Sequence, residues 1–214
     1  MIIAIDGPAA SGKGTLARRV AAAMDYAYLD TGLLYRATGA KVLALGLDPS
    51  NEDAAVGVAE KLGADDLESE ELRSEEVGSA ASKVAAIPKV RAVLLAFQRN
   101  LASSPPDGKR GAVLDGRDIG TVVCPDAPIK FYLTASVEER ANRRFKQLQE
   151  KNPAAIYERV LKELEERDAR DSARDVAPLK MASDAIHIDT DRLNADAVFN
   201  AVMAHIRTHM GEND

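Results

Sequence analysis

One short segment near the N-terminus constrains the fold more than any other part of the chain. The apolar run Ile2–Ile5 leads directly into the sequence GPAASGKGT, residues 7 to 15, and a helical pattern follows. Glycines let the backbone curl so that successive N–H groups face inward, and the N-terminus of the next helix adds the positive end of its dipole. The order of strand, loop and helix predicts a phosphate-binding loop in which Lys13 reaches the β- and γ-phosphates of a nucleotide.

This loop departs from the usual pattern at one position. Gly14 follows the lysine where phosphate loops commonly carry Ser or Thr, and Thr15 comes one residue later. The alternative is a glycine-rich turn with no ligand, but the flanking strand and helix favour the phosphate loop.

The remaining apolar runs predict the sheet. Four more of them have the length of buried strands and are separated by helical patterns: Ala27–Leu29, Ala112–Leu114, Ile129–Thr134 and Ala185–Ile188. They are continuous rather than alternating, as expected for parallel strands covered on both faces. We therefore predict an α/β fold with a doubly wound, five-stranded parallel sheet.

About eighty residues separate the second and third predicted strands, which is far more than a simple crossover needs. Ser50 to Asp53 form a helix-start pattern, and Gly63 a stop signal after a predicted helix Glu52–Leu62. Residues 48–79 contain eleven acidic residues against Lys61 and Arg73, a net charge of −9, so the rest of the chain carries +3. We predict a mostly helical insertion at about 40–100, with its acidic residues on the outer surface.

The composition limits the partners. The net charge of −6 and an aromatic content of 4% argue against a nucleic-acid binder, and no apolar run approaches the roughly 18 residues of a membrane span. The N-terminus lacks the pattern of a signal peptide, and the single Cys124 cannot form an internal disulfide. We therefore expect a cytoplasmic protein with no membrane or nucleic-acid partner, in which Cys124 is a buried thiol.

Arginines follow the predicted strands where an anion could bind. Arg36 follows the second strand and Arg117 the third, and the sequence RDARDSAR supplies Arg167, Arg170 and Arg174. If this last segment is helical, its three arginines and Asp171 lie on one face. Such a charge run is usually a solvated helix surface, but beside a phosphate loop it favours a site for a second phosphate group.

Several motifs together resemble those of bacterial cytidylate kinases, which belong to the nucleoside monophosphate kinase family of P-loop proteins. The motifs are GKGT, DTGLLYR from Asp30, ASKVAAIP from Ala81, DGRDIGT from Asp115, PDAP from Pro125 and RDARDSAR from Arg167. The resemblance runs from Ile2 to the last helix. It fails inside the insertion, where family members have a longer stretch with short antiparallel strands and this chain has the acidic segment 64–77.

The resemblance implies an enzyme that transfers the γ-phosphoryl group of ATP, with Mg²⁺, to CMP or dCMP, giving ADP and CDP or dCDP. It also implies a single domain, expected to be monomeric. The core would comprise residues 1–39, 101–136 and 176–214, with an insertion that binds the monophosphate at about 40–100. A short helical lid at about 137–175 would close over the substrates.

The resemblance also assigns roles to residues. Lys13, Arg117 and Arg174 would be catalytic. ATP would bind Gly7, Pro8, Ala9, Ala10, Ser11, Gly12, Lys13, Gly14 and Thr15, with Arg143 from the lid. The acceptor phosphate would bind Arg36, Arg117 and Arg174, the ribose Arg167 and Asp171 with Thr31 nearby, and the base Ser82, Arg91 and Asp118. Asp115, which ends a buried strand, would hold Mg²⁺ through water, although it could also serve only as a strand-end cap.

Two other functions stay open at this point. One is a related kinase that acts on UMP, AMP or a small metabolite. The other is a nucleotide-binding switch that hydrolyses or senses a nucleoside triphosphate and has no acceptor site. The acceptor arginines argue against the switch.

Overall fold

The structure, a computed structural model, describes residues 1–150 and 152–211. Within these ranges it has five strands: β1 Ile2–Asp6, β2 Ala27–Asp30, β3 Ala112–Gly116, β4 Ile129–Thr134 and β5 Ile186–Asp189. The α-helices of the same ranges are α1 Lys13–Met24, α2 Thr31–Ala44, α3 Glu52–Ala59, α4 Glu75–Val84, α5 Pro88–Ser103, α6 Val137–Gln149, α7 Tyr157–Ser172 and α8 Ala195–Met210.

The strands form one parallel sheet in the order β2-β3-β1-β4-β5, which confirms the predicted α/β fold. The central strand β1 pairs with β3 on one side and β4 on the other, so that Ile5 lies opposite Asp115 and Phe131. The chain winds in opposite directions from this point, and ligands of such sheets bind in the crevice at the carboxyl ends of the strands. Asp6, Asp30 and the phosphate loop lie at that edge.

Helices cover both faces of the sheet. On one face, Val20 of α1 and Val202 of α8 belong to the same buried cluster as Ile3 and Phe131. On the other face, Leu114 packs in a cluster with Ala102 of α5 and with Ile119 and Val123, which belong to a turn of π-helix, Ile119–Val123. Because both faces are buried, the strands contain continuous apolar runs.

The segment between β2 and β3 contains the helices α2 to α5 together with three 3₁₀ turns, Ala64–Leu67, Glu70–Arg73 and Pro106–Gly108. The acidic side chains Glu68, Glu70 and Glu71 are exposed, whereas Leu72 is buried. The acidic residues therefore lie on the outer surface as predicted. The division of the chain into core, insertion and lid stays a prediction.

Helix α3 starts where the sequence predicts, because the Asn51 side chain accepts a hydrogen bond from the Ala54 amide at 3.0 Å. It ends at Ala59 rather than at the predicted Leu62. The amides of Lys61 and Leu62 bond to carbonyls only three residues back, so the last turn is tightened before Gly63. The predicted helix was therefore three residues too long.

Close packing between α2 and α4 fixes the position of the insertion on the core. A Cβ atom added at Gly39 of α2 would lie 3.0 Å from backbone and side-chain atoms of Ala80 in α4. The two helices can approach this closely only because residue 39 has no side chain. Their contact holds Arg36 of α2 and Ser82 of α4 in a fixed relation.

We predict that Gly39→Ala lowers the free energy of unfolding by about 1–3 kcal/mol through overpacking. This loss opposes the gain of up to about 1 kcal/mol that alanine gives in a helix. Urea denaturation measures both effects. The matched control is Gly57→Ala in α3, where an added Cβ meets nothing within 4 Å, so this variant should be as stable as the wild type or more so. A Gly39→Ala protein as stable as Gly57→Ala would contradict the packing argument.

Candidate active site

The phosphate loop between β1 and α1 is curled by unusual backbone angles. Gly7 has φ of 152°, and a Cβ there would lie 2.2 Å from the Leu133 carbonyl oxygen, so no larger residue fits. Ala10 and Gly12 have φ of 60° and 93°, in the left-handed region. These angles turn the backbone around a concave surface that ends at the N-terminus of α1, where an anion is favoured.

A cavity of about 950 Å³ opens over this loop. Of the loop residues predicted to bind ATP, Ala9 to Thr15 line it, whereas Gly7 and Pro8 do not. Five other predicted residues line it as well: Arg36, Asp115, Arg117, Arg143 and Arg167. The cavity is large enough for a nucleotide and is rich in positive charge.

Lys13 and Asp115 lie buried at the base of this cavity. The Lys13 ammonium group donates to the Pro8 carbonyl at 3.1 Å. Burial lowers the pKa of Lys13, and the positive charge of Arg117 lowers it further. Burial raises the pKa of Asp115, and the charge of Asp30 adds to the effect. Both pKa shifts have the same main cause, which is that burial removes the charged group from water. A bound phosphate would offset this loss of solvation at Lys13.

A second, smaller cavity of about 40 Å³ is lined by the other predicted substrate residues, namely Thr31, Ser82, Arg91, Arg117, Asp118, Arg167, Asp171 and Arg174. Their charges pair with one another. Arg91 donates to Asp118 at 2.5 Å, Arg117 donates to Asp171 at 3.0 Å, and Arg174 also pairs with Asp171. A nucleoside is much larger than this volume, so it can enter only when some of these pairs open.

Three buried polar atoms around the two cavities have no hydrogen-bond partner among the described residues. They are the Nε atoms of Arg167 and Arg174 and the Ser11 hydroxyl. Buried donors without a partner are costly and rare in folded proteins. Two of the three are guanidinium N–H groups, which bind phosphate or hydroxyl oxygens well.

The two cavities adjoin. Gly32, Gly116, Arg117 and Arg167 line both of them. A ligand in the larger cavity and a ligand in the smaller one would therefore meet at the guanidinium groups of Arg117 and Arg167. Two phosphates repel each other, and cations at their junction reduce that repulsion.

The predicted helical face of three arginines is wrong in part. Helix α7 ends at Ser172, so Arg174 lies beyond it and bonds back to Asp171 from the following segment. Arg170 lines neither cavity, because its guanidinium group donates to Ser82 at 3.3 Å and lies 4.0 Å from Glu166. Arg167 and Asp171 do share a face, with 3.9 Å between Arg167 Nε and an Asp171 oxygen.

Helix α6, which lies in the predicted lid, carries Arg140, Arg143 and Arg144. Arg140 is buried, pairs with Asp168 at 2.6 Å and donates to the Ala9 carbonyl at 3.2 Å, so it ties α6 to the loop. Arg143 donates to Glu139 at 2.9 Å and to the Thr190 carbonyl at 2.6 Å. Arg143 and Arg144 both line the larger cavity, and the preference for Arg143 as an ATP ligand stays a prediction.

Sequence reasoning missed two supporting residues. Tyr35 lies under Arg91, with 5.4 Å from the guanidinium carbon to the ring centre. Asp6 accepts hydrogen bonds from the Ile119 and Gly120 amides at 2.8 Å each, and so fixes the segment that follows Asp118. Burial raises the pKa of Asp6 to about 6. The available signal was an acidic residue at the end of an apolar strand, directly before the loop.

The surroundings of Asp115 suit a hydrated cation. The Tyr28 hydroxyl donates to one carboxylate oxygen at 2.9 Å, and a Cβ at Gly14 would lie 3.5 Å from the other. In the described ranges, no three His, Cys, Asp or Glu side chains are grouped so that they could hold a metal by themselves. A magnesium ion here would take most of its ligands from water and phosphate oxygens, as Mg²⁺ usually does.

The chain is similar to known proteins over nearly its whole length. The family model described as "Cytidylate kinase" matches residues 3–208. The chain is 59% identical to a cytidylate kinase of Paramagnetospirillum magneticum over 96% of its length and 97% of the relative. It is 53% identical to that of Rhodospirillum rubrum, with 96% and 98% covered.

One solved structure shows the fold alone. It is an uncharacterized protein from Eubacterium ventriosum, with a TM-score of 0.57 and 14% identity, and it covers 97% of this chain and 99% of the other. A search of the described helices finds none that is long and apolar enough to span a membrane.

We predict that Lys13→Met weakens binding of ATP at least tenfold, because the lysine supplies a charge-assisted contact. The same change should stabilise the ligand-free protein at pH 7. The lowered pKa means that unfolded chains hold this proton more tightly than folded ones, so the charge costs stability below the ordinary lysine pKa of about 10.4. The advantage of the variant should shrink as the pH rises toward that value.

Calorimetric titration with ATP measures the change in binding. Urea denaturation at pH 7 and at pH 9 measures the change in stability. The exposed Lys61→Met is the matched control, with stability within about 0.5 kcal/mol of the wild type and unchanged binding. A Lys13→Met protein less stable than the wild type at pH 7 would show that Lys13 supports the fold.

Proposed function

Because this chain belongs to the cytidylate kinase family, we propose that it transfers the γ-phosphoryl group of ATP to CMP or dCMP, giving ADP and CDP or dCDP. One observation carries this assignment in the structure. A nucleotide-sized cavity over a phosphate loop adjoins a second cavity, and Arg117 and Arg167 line both. A donor and an acceptor phosphate can therefore meet at a positively charged junction.

The donor binds in the larger cavity. Backbone amides of the loop from Ala9 to Thr15 surround its phosphates, and Lys13 neutralises charge on the β- and γ-groups. Phosphoryl transfer needs little covalent help from a protein, so positioning and charge stabilisation account for most of the catalysis. Lys13, Arg117 and Arg174 are the groups we assign to it.

The acceptor binds in the smaller cavity, where it replaces protein partners with its own. Its phosphate lies toward the junction with the larger cavity, where Arg36, Arg117 and Arg174 hold it, and the unpartnered Nε of Arg174 is available for it. Arg167 and Asp171, with Thr31 close by, hold the ribose. Asp171 now accepts from Arg117, and this bond must loosen as the nucleotide enters.

Base recognition rests on Ser82, Arg91 and Asp118, all of which are buried. Cytosine presents an amine donor at C4 and acceptors at N3 and O2, which match a carboxylate that accepts and a guanidinium that donates. Uracil reverses the donor and acceptor at C4 and N3 and so leaves the same protein groups unpaired. Arg91 and Asp118 are ion-paired with each other in the structure, so both side chains already lie side by side in the smaller cavity.

Magnesium is part of the proposal. When bound with ATP, Mg²⁺ neutralises negative charge on the phosphates. Asp115 would hold it through water, since its carboxylate lies buried beside the phosphate loop and is oriented by Tyr28. Arg143 would assist from the lid.

Closure of the lid region, about 137–175, would exclude water, so that CMP rather than water receives the phosphoryl group.

We also propose that the chain acts as a monomer in the cytoplasm. The free, buried Cys124 is consistent with a reducing compartment.

An assay coupled to ADP release tests the function with CMP, dCMP, UMP and AMP as acceptors. Turnover should depend on the acceptor, should be fastest with CMP or dCMP, and should stop when Mg²⁺ is removed with a chelator. Fastest turnover with UMP or AMP would assign a different monophosphate kinase. ATP hydrolysis that is independent of any acceptor would instead support a nucleotide-binding switch.

We predict that Asp118→Asn lowers the ratio of kcat/KM for CMP to that for UMP about tenfold, because the amide can donate to the uracil C4 oxygen that a carboxylate repels. The ratio is independent of how much of the variant is folded. The control is Asp184→Asn, which changes another ion-paired carboxylate outside both cavities and should leave the ratio unchanged. An equal ratio in both variants would move base recognition away from Asp118.

A further inference from the structure

The acidic insertion presents one arginine to the active-site cavity. Arg73 ends the second 3₁₀ turn and has glutamates on both sides in sequence, Glu70 and Glu71 before it and Glu75 and Glu76 after it. Nevertheless, no ion pair of Arg73 occurs within the part of the chain that the structure describes. Arg73 lines the larger cavity instead. A guanidinium group that borders a nucleotide-sized cavity and is paired with no carboxylate can bind an anion there.

Two further arginines from separate elements lie next to Arg73. Arg36 of α2 donates to the Leu72 carbonyl at 2.7 Å, and Arg144 of the lid helix α6 lies 3.4 Å from the Arg73 carbonyl. Burial lowers the pKa of Arg36 to about 10, and the charges of Arg144, Arg117 and Arg73 contribute to this shift. Like charges gathered in a partly buried site are unfavourable unless an anion joins them.

We propose that Arg73 binds the phosphate oxygens between the two nucleotides when both are present, together with Arg36 and Arg144. This inference rests on the proposed function, because it requires a donor and an acceptor phosphate side by side. Arg36 belongs to the acceptor set, and Arg144 stands on the lid among residues that line the donor cavity. Arg73 lies between them and adds a charge from the insertion.

The hydrogen bond from Arg144 to the Arg73 carbonyl oxygen joins the insertion to the lid. Arg144 approaches the main-chain oxygen of residue 73, and this contact is available with any side chain there. The Arg73 side chain is exposed without ligand, so ordering it costs conformational entropy. That cost is offset only when two phosphates lie close together. Arg73 should therefore contribute little to the binding of either nucleotide alone and more to the state in which transfer occurs.

The experiment compares Arg73→Gln with Lys61→Gln. Both changes remove one positive charge from the acidic segment 48–79, but the exposed Lys61 lines neither cavity. Calorimetry measures the binding of CMP, of ADP, and of a bisubstrate analogue in which five phosphates join adenosine to cytidine. Steady-state kinetics with ATP and CMP give kcat and KM.

For Arg73→Gln we expect about tenfold or greater weakening of the bisubstrate analogue and a similar fall in kcat, the usual effect of losing a charge-assisted hydrogen bond. Binding of CMP or ADP alone should change less than threefold. Lys61→Gln should stay within twofold of the wild type throughout. Arg73→Lys should recover part of the loss, since it restores the charge but not the planar fork.

Other results would overturn the proposal. Analogue binding and kcat equal in Arg73→Gln and Lys61→Gln would show that Arg73 does not touch the phosphates. A lower melting temperature of ligand-free Arg73→Gln, with all three ligands weakened equally, would assign it a structural role. If the wild-type protein itself bound no analogue and showed no CMP-dependent turnover, the proposed function would fail, and this inference with it.

Discussion

The ion pairs of Asp171 are the interaction on which the smaller cavity depends. This carboxylate is 1% exposed, accepts from Arg117 at 3.0 Å and from Ser82 at 3.3 Å, and also pairs with Arg174. Burial opposes its ionisation, yet the charges of Arg117, Arg174 and Arg167 hold its pKa below the ordinary value. Without this charge, three guanidinium groups would repel one another, and α7, α4 and the segment after β3 would lose their common contact.

The same pairs make substrate entry energetically feasible. A buried ion pair adds little net stability, because the cost of removing both charges from water nearly cancels their attraction. Replacing a protein carboxylate by a nucleotide phosphate or hydroxyl therefore changes the net free energy only modestly. Leaving an arginine with no partner would cost much more. The cavity of about 40 Å³ is consistent with this exchange, since the side chains fill the space that a nucleoside would take. Selectivity among ligands then depends on which of them can form hydrogen bonds or ion pairs with every side chain whose partner they displace.

The sequence predicts those parts of the molecule that depend on local pattern. The phosphate loop, the strands and the cap of α3 are set by neighbouring residues, so the fold could be derived without the structure. The end of α7 at Ser172 could not, because neither glycine nor proline follows it directly, and Arg174 pairs with Asp171, three residues back, from outside the helix. The roles of Arg140, Arg143 and Arg144 depend on how α6 is rotated against the loop, which their spacing does not specify. Nothing in the sequence indicates that Arg73 lies at the cavity, because an arginine among glutamates resembles an ordinary solvated charge run.

The charge distribution shows why net charge is a poor guide to ligand here. The chain carries −6 overall, and residues 48–79 alone carry −9, but the acidic side chains of the second 3₁₀ turn are exposed while Arg73 lines the cavity. At physiological ionic strength the field of exposed charges falls off over about 8 Å, whereas buried charges are screened much less. An anion in the larger cavity would therefore interact mainly with Lys13 and with the arginines that line it. An acidic protein can therefore bind nucleotides, because the acidic side chains of the second 3₁₀ turn face solvent while the buried Lys13 and the half-buried Arg36 and Arg117 line the cavity.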